Sequence, residues 1–89
     1  MYFDWDEDKN KELQTKRGIS FEQVIVEINS GNLLDVIKHP NQKKYSNQLM
    51  YIVRSGDYVY LIPFVQDKER IFLKTIYPSR KFKKLYEKG

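Results

Sequence analysis

The sequence predicts an α+β domain in which two N-terminal helices pack on one face of a largely antiparallel sheet and a short helix ends the chain. Three observations favour this class: helical apolar spacing with capping residues in the first third, alternating apolar and β-branched runs after it, and Gly and Pro between these segments. The 89 residues suit one domain, residues 1–89. The predicted order is β-α-α-β-β-β-β-α.

The chain begins with a predicted strand and an exposed helix. Met1 to Trp5 is rich in aromatic residues and alternates apolar with polar positions, which is typical of a short strand. Asp6 is the predicted N-cap of a helix from about Glu7 to Arg17. Gly18 is predicted to end that helix.

A second helix is predicted directly after Gly18. Ser20 would cap it, and the side chain of Gln23 would reach back in a capping box. Apolar residues then recur at helical spacing, at Phe21, Val24, Ile25 and Ile28. Gly31 is expected to end this helix.

Four strands are predicted in the second half of the chain. They are Leu33–Lys38, Gln48–Arg54, Tyr58–Val65 and Ile71–Tyr77. His39-Pro40-Asn41 ends the first of them, and residues 41–47 form a loop. Ser55-Gly56, with or without Asp57, is a predicted tight hairpin, and residues 66–69 are a second turn. Pro63 interrupts a predicted central strand, which indicates either a bulge or the end of regular pairing at that point.

The C-terminal segment is predicted to form a basic helix after Pro78, with Ser79 as its cap. One face would hold Phe82, Leu85 and Tyr86. The other faces would carry Lys81, Lys83, Lys84 and Lys88.

Positive charge is concentrated in this last quarter of the chain. Residues 68–89 carry eight basic and two acidic residues, whereas residues 1–67 carry eight basic and ten acidic ones. A basic patch of this kind favours a phosphate-rich partner. The alternative is a solvated Lys-rich tail without a function.

Composition excludes several classes of chemistry. The chain has no Cys, so disulfides, thiolate metal sites and a Cys nucleophile are excluded, and one His with no Cys cannot build a typical zinc site. No nucleotide-binding glycine motif is present, and we expect neither a metal nor a cofactor. The N-terminus is acidic and no apolar run has the length of a membrane span, so we expect a cytoplasmic protein without a membrane partner.

Metal-free phosphodiester chemistry remains open. Cleaving RNA requires a proton acceptor for the 2′-hydroxyl, cations for the charge on phosphorus, and a proton donor for the leaving oxygen. The chain supplies these types at His39, Lys43, Lys44, Arg54, Lys74, Tyr77, Arg80, Lys81 and Tyr86. Candidates for stacking on unpaired bases are Tyr45, Tyr58, Tyr60, Tyr77 and Tyr86.

Lys74 is the most informative of these residues. It lies within a predicted strand, and alternation along the strand would place its side chain on the same face as those of Phe72 and Ile76. Its side chain would therefore lie either on a solvated sheet face or inside a concave site.

Three segments together resemble the BrnT family of bacterial toxins. They read FDWDEDKNKEL near the start, RGISFEQV after the first helix, and KTIYPSRKFKKLY near the end. The resemblance implies a RelE-like fold and a ribonuclease toxin whose partner is an antitoxin with a ribbon-helix-helix DNA-binding segment. The family's Arg–Arg pair after the last strand falls on Arg80 and Lys81. The chain has Arg17 where the family often has His, and only His39 partly matches the family's mid-chain His.

The leading hypothesis is therefore a metal-independent endoribonuclease that acts on mRNA in a type II toxin–antitoxin hetero-oligomer. Its catalytic candidates are Arg80, Lys81 and Lys74 for phosphate charge, His39 or Lys43 as proton acceptor, and Tyr77 as stacking group or proton donor. Its further RNA-binding candidates are Arg54, Arg70, Lys83, Lys84 and Tyr86. The alternative is a non-catalytic module that binds RNA or protein through the same basic surface.

Overall fold

A computed structural model describes residues 1–87. The strands are β1 (Tyr2–Asp4), β2 (Leu33–Lys38), β3 (Leu49–Ser55), β4 (Tyr58–Asp67), β5 (Arg70–Leu73) and β6 (Tyr77–Pro78). The helices are α1 (Glu7–Arg17), α2 (Phe21–Asn29) and α3 (Arg80–Glu87). The predicted α+β class is confirmed, and the structure adds one short strand to the predicted order.

The six strands form one mixed sheet with the order β1-β5-β4-β3-β2, and β6 also pairs with β4. β1 lies parallel to β5, and the other pairs are antiparallel. The predicted antiparallel character therefore holds for the meander β2–β3–β4–β5 and not for the first strand.

α1 begins and ends at the predicted residues because both of its caps form. The Asp6 carboxylate accepts hydrogen bonds from the backbone N–H groups of Asp8 at 2.8 Å and Lys9 at 3.3 Å. Gly18 adopts the left-handed conformation (φ 67°) that ends many helices, and its N–H donates to the carbonyl of Gln14.

Half of the predicted capping box of α2 is present. The Ser20 hydroxyl accepts from the backbone N–H of Gln23 at 3.1 Å, as predicted. The Gln23 side chain does not reach back, because it donates to the Glu27 carboxylate one turn later. The helix then ends at Asn29, and Gly31 follows in the left-handed region (φ 87°).

Asn10 joins the two N-terminal helices. Its side chain is fully buried, accepts from the Phe21 N–H at 2.8 Å, and donates to the Glu22 carboxylate at 2.6 Å. A buried amide needs such partners, because a buried polar group without one is costly. The contact fixes the start of α2 against α1.

The sheet buries a hydrophobic cluster on each of its faces. The helix-pair face packs against α1 and α2 through Leu13, Ile19, Phe21, Val24, Val53, Tyr60, Ile62, Phe64, Ile71, Leu73 and Ile76. The α3 face buries Met50, Ile52, Val59 and Leu61 beneath the half-buried rings of Tyr77, Phe82 and Tyr86. The two N-terminal helices therefore share one face, as predicted, and α3 covers the opposite face.

A one-residue bulge splits the predicted strand Ile71–Tyr77 into β5 and β6. Phe64 pairs with Leu73, but Leu61 pairs with Tyr77, so residues 74–76 lie opposite only two residues of β4. Pro63 lies at this point, and its carbonyl accepts from the Lys74 N–H at 2.8 Å. Of the two predicted explanations for Pro63, the bulge is the one observed.

The bulge reverses the alternation of side chains between the two faces. Ile76 is buried in the cluster of the helix-pair face, together with Leu73. Tyr77 instead turns to the α3 face. The prediction that Phe72, Lys74 and Ile76 share one face of the sheet therefore fails after Lys74, because Ile76 lies on the other face.

α3 is attached through two aromatic residues one turn apart. The Ser79 hydroxyl caps the helix by accepting from the Phe82 N–H at 3.2 Å, as predicted. Phe82 and Tyr86 then pack on the sheet. Leu85 does not join them, because its side chain is 60% exposed.

We expect Asn10→Ala to lower the free energy of unfolding by about 1–3 kcal/mol, since it leaves the Phe21 N–H buried without an acceptor. Gln14→Ala, which removes an exposed amide one turn later, is the matched control. Urea unfolding of both variants at neutral pH measures the difference. Equal stabilities would contradict the role given to Asn10.

The penalty of Asn10→Ala should also depend on pH. The hydrogen bond from Asn10 lowers the pKa of Glu22 first, and the backbone N–H of Glu22 lowers it further. A lowered pKa in the folded state adds stability above the ordinary glutamate range, and this stability is lost as pH falls through the folded pKa. The penalty should therefore shrink in acid, and one that stays constant would exclude the Glu22 contribution.

Candidate nucleic-acid interface

The bulge lies beside a pocket of about 350 Å³ at the α3 face, here called the bulge pocket. Its lining residues come from separate segments of the chain: His39, Tyr45, Gln48, Pro63, Lys74, Thr75 and Tyr77. Several of these side chains carry hydrogen-bond donors, and Lys74 contributes a positive charge. The pocket is therefore suited to an anionic ligand.

His39 enters the pocket because the β2–β3 ladder continues one residue beyond the strands. Its N–H donates to the Gln48 carbonyl at 3.0 Å, and its ring packs on Tyr45 with centroids 4.3 Å apart. Its Nδ1 accepts from the Asn41 N–H at 3.1 Å. The neutral ring therefore carries its hydrogen on Nε2, so in this conformation His39 offers a ligand a donor.

Tyr77 lines the bulge pocket, and its hydroxyl is turned toward the buried cluster of the α3 face. The hydroxyl donates a weak hydrogen bond to the sulfur of buried Met50 at 3.6 Å, which places the ring on that cluster. Burial raises the pKa of Tyr77, and the neighbouring Tyr45 raises it further. The phenol therefore keeps its proton at neutral pH.

Lys74 is exposed at the bulge, and its amine lies 5.5 Å from the centroid of the Phe72 ring. Its backbone is fixed by the hydrogen bond to Pro63. The two predicted locations for Lys74 are thus both partly met, since the side chain is solvated and also lines a concave pocket.

α3 places a row of cations on the same side of the sheet. Arg80, Lys81 and Lys84 are exposed. Lys83 is half-buried, forms an ion pair with Glu87 at 3.8 Å, and lies over the ring of Tyr58. Lys88, which was also predicted on this helix, lies outside the described residues.

The structure brings three of the six predicted catalytic residues together. His39, Lys74 and Tyr77 line the bulge pocket. Arg80 lies three residues beyond Tyr77 at the start of α3, and Lys81 follows it. Lys43 is exposed in the 41–47 loop and is not among the residues that line the pocket.

The two predicted arginines of the sheet lie in different places. Arg70 pairs with Asp67 at the far end of β4, roughly 20 Å along the strand from the Tyr77 pairing. Its guanidinium contacts the Asp4 carboxylate at 3.4 Å. Arg54 pairs with Val59, which belongs to the cluster of the α3 face, so the Arg54 side chain lies on that face too.

Tyr86 is engaged in holding α3 on the sheet. Burial raises the pKa of Tyr86, and the Asp35 carboxylate raises it further through its charge and by accepting a hydrogen bond from the phenol. Asp35 lies opposite Ile52 on the α3 face. Tyr86 is therefore better placed to anchor α3 on β2 than to stack on a base.

Sequence reasoning missed Gln48, Pro63 and Thr75 as members of the pocket. The register of β2 with β3 places His39 opposite Gln48. The loop between these strands is too long for the sequence to determine that register. Thr75 enters the pocket through the bulge.

Within residues 1–87, no group of three or more His, Asp or Glu side chains is arranged to hold a metal ion. None of the helices in that part of the chain is long and apolar enough to cross a membrane. Comparison with protein-family models, curated proteins and solved structures gives no match to this chain.

We expect Asp35→Asn to lower the pKa of Tyr86, because it removes the negative charge that disfavours the phenolate. The ultraviolet absorbance of phenolate during alkaline titration, after subtraction of the same titration of Tyr86→Phe, measures this pKa. Asp57→Asn in the exposed β3–β4 turn is the matched control. An unchanged Tyr86 titration in Asp35→Asn would contradict the contact.

The attachment of α3 should also weaken in alkali. Because the pKa of Tyr86 is raised on folding, its stabilising contribution is present below the ordinary tyrosine pKa and is lost as pH rises through the folded value. The helical signal of α3 should therefore fall at lower pH in the wild type than in Tyr86→Phe, which cannot ionise. Identical pH profiles would refute this contribution.

Proposed function

We propose that this chain is the toxin of a bacterial type II toxin–antitoxin pair and that it cleaves mRNA without a metal ion. The observation that carries the proposal is the bulge pocket, in which His39, Lys74 and Tyr77 meet on the same face of the sheet as the cations of α3. The three segments that resemble BrnT toxins agree with it, and the finer fold assignment, a RelE-like sheet with two N-terminal helices, is part of the same proposal.

In the proposed reaction, the 2′-oxygen of a ribose attacks the adjacent phosphorus while the bond from phosphorus to the 5′-oxygen of the next nucleotide breaks. The amine of Lys74 and the guanidinium of Arg80 stabilise the negative charge that develops on the phosphoryl oxygens. Tyr77 supplies the proton for the leaving oxygen, which requires its hydroxyl to exchange the sulfur of Met50 for that oxygen when RNA binds.

The proton of the 2′-hydroxyl passes to His39 or Lys43 in this proposal. His39 can take it on Nε2 only if its other nitrogen carries the remaining hydrogen, which requires release of the Asn41 N–H from Nδ1. A small movement of the 41–47 loop on RNA binding would permit this exchange. Lys43 lies in the same loop and is exposed, and it can accept the proton only as the neutral amine, because an ammonium has no free lone pair.

The proposed partner is an antitoxin with a ribbon-helix-helix segment. It would inactivate the toxin in the cytoplasm by covering the α3 face with acidic or apolar groups. The exposed side chains of Lys81, Lys84 and Leu85 suit such a cover, because they combine positive charge with an apolar surface.

One observation favours the second candidate function, a non-catalytic module that binds RNA or protein. Nδ1 of His39 already accepts a backbone hydrogen bond, so the pocket offers donors and no free imidazole acceptor. Such a set of donors can bind a phosphate without cleaving its ester bonds.

Incubation of the purified protein with RNA in excess EDTA separates the two candidates. We expect cleavage, and we expect Tyr77→Phe to slow it by roughly 10²–10⁴-fold, the usual contribution of general acid catalysis. RNA binding without cleavage in EDTA would select the non-catalytic module. Cleavage by Tyr77→Phe at the wild-type rate would remove Tyr77 from the mechanism.

Inducible expression in a bacterium tests the role of the basic helix. We expect the wild type to arrest growth with loss of bulk mRNA, and the product of the adjacent reading frame to reverse this. Arg80→Gln with Lys81→Gln should relieve the arrest while the fold is retained, because two cations for the phosphate are lost. Lys11→Gln with Lys68→Gln is the control, since it removes the same charge from exposed sites outside α3 and the bulge pocket. Arrest by the first double variant would refute the assignment.

A further inference from the structure

A second cavity of about 420 Å³ lies at the start of α3 and is here called the Tyr58 groove. It is lined by Tyr58, Val59, Pro78, Ser79, Arg80 and Lys83. Tyr77 of β6 belongs to the bulge pocket and the next residue, Pro78, belongs to the groove. The linings of the two cavities thus meet at consecutive residues of β6 and share none, and Tyr58 lies about 10 Å along β4 from the Leu61–Tyr77 pairing.

The groove combines an exposed aromatic ring with two cations. Tyr58 is 57% exposed, and the amine of Lys83 lies 5.6 Å from the centroid of its ring. Arg80 is exposed at the rim. Val59 and Pro78 supply apolar surface, so a flat apolar ligand with an attached anion matches the lining.

The polar groups of the groove can contact a phosphate or a sugar. The Ser79 oxygen accepts from the Phe82 N–H at 3.2 Å, which leaves the hydroxyl hydrogen to donate to a ligand. The ion pair between Lys83 and Glu87 is weak at 3.8 Å, so the Lys83 amine remains able to contact an anion. An unpaired nucleotide has the required parts, because its base stacks on aromatic rings and its phosphate binds Arg and Lys.

We propose that the Tyr58 groove binds a further unpaired nucleotide of the RNA held in the bulge pocket, with its base on Tyr58 and its phosphate between Arg80 and Lys83. The inference rests on the proposal that the chain binds RNA. Stacking uses the face that all four bases share, so this site should strengthen binding with little sequence preference. A substrate that spans both cavities should bind more tightly than one that reaches the bulge pocket alone.

Binding of 2′-O-methyl oligonucleotides, which cannot undergo attack by the 2′-oxygen, tests the groove without cleavage. Fluorescence anisotropy with oligonucleotides of increasing length measures the dissociation constant. We expect Tyr58→Ala to weaken binding of the longer oligonucleotides by about tenfold or more, as loss of one base stack does. Tyr58→Phe, which keeps the ring, should bind like the wild type.

Tyr2→Ala is the matched control, because Tyr2 is also 57% exposed but lies beside Arg70. Circular dichroism and urea unfolding show whether each variant is folded. An oligonucleotide with one abasic nucleotide at the groove position should bind wild type and Tyr58→Ala equally. Equal binding by Tyr58→Ala and Tyr2→Ala would overturn the proposal, as would a loss in Tyr58→Phe as large as that in Tyr58→Ala.

These outcomes are distinct from those of the cleavage assay. Binding that depends on Tyr58 without cleavage of natural RNA supports the groove and rejects the endoribonuclease. Cleavage with no effect of Tyr58→Ala on binding supports the endoribonuclease and rejects the groove. Absence of oligonucleotide binding by the wild type, or binding of an acidic peptide alone, rejects both.

Discussion

The backbone donor missing at Pro63 is the constraint on which the candidate site depends. In an antiparallel ladder the N–H and carbonyl of one residue point to the same neighbour, and the Pro63 carbonyl points to Lys74. The missing N–H therefore faces the strand that carries the bulge. The extra residue there moves Tyr77 to the α3 face and Ile76 to the helix-pair face. Without this change the Tyr77 ring, which lines the bulge pocket, would lie beneath α1 and α2.

The two faces of the sheet differ in how their polar groups are partnered. On the helix-pair face, the buried polar group Asn10 has protein partners for both its oxygen and its nitrogen. On the α3 face, the exposed cations of Lys74 and α3 surround a small cluster. The first turn of α1 is acidic and α3 is basic. This separation of charge would orient a polyanion toward the α3 face during encounter.

Local signals in the sequence predict most of the elements. α1 and β2 occupy the predicted residues, because caps and alternation act within a few positions. The errors lie where a local pattern depends on a distant partner. A single bulge residue changes the face of everything that follows it without changing the composition, so the strand Ile71–Tyr77 appeared continuous. Arg70 looked like a free cation because its partner Asp4 is 66 positions away. Charge and residue type selected His39, Lys74 and Tyr77 as candidates. That they line one pocket follows only from the observed strand register.

On the α3 face, the side chains that attract a polyanion differ from those that would fix its position. Exposed lysines such as Lys81 and Lys84 attract any polyanion, and this attraction weakens with salt and carries no information about sequence. The bulge pocket is different, because its donors are held by the β2–β3 ladder and by the Pro63 contact. An eight-residue helix is too short to be stable alone, so the position of the lysines depends on Phe82 and Tyr86. The rings that hold α3 on the sheet therefore also set the distance between the cations of α3 and the side chains of the bulge pocket. The proposed reaction needs both groups at one phosphate.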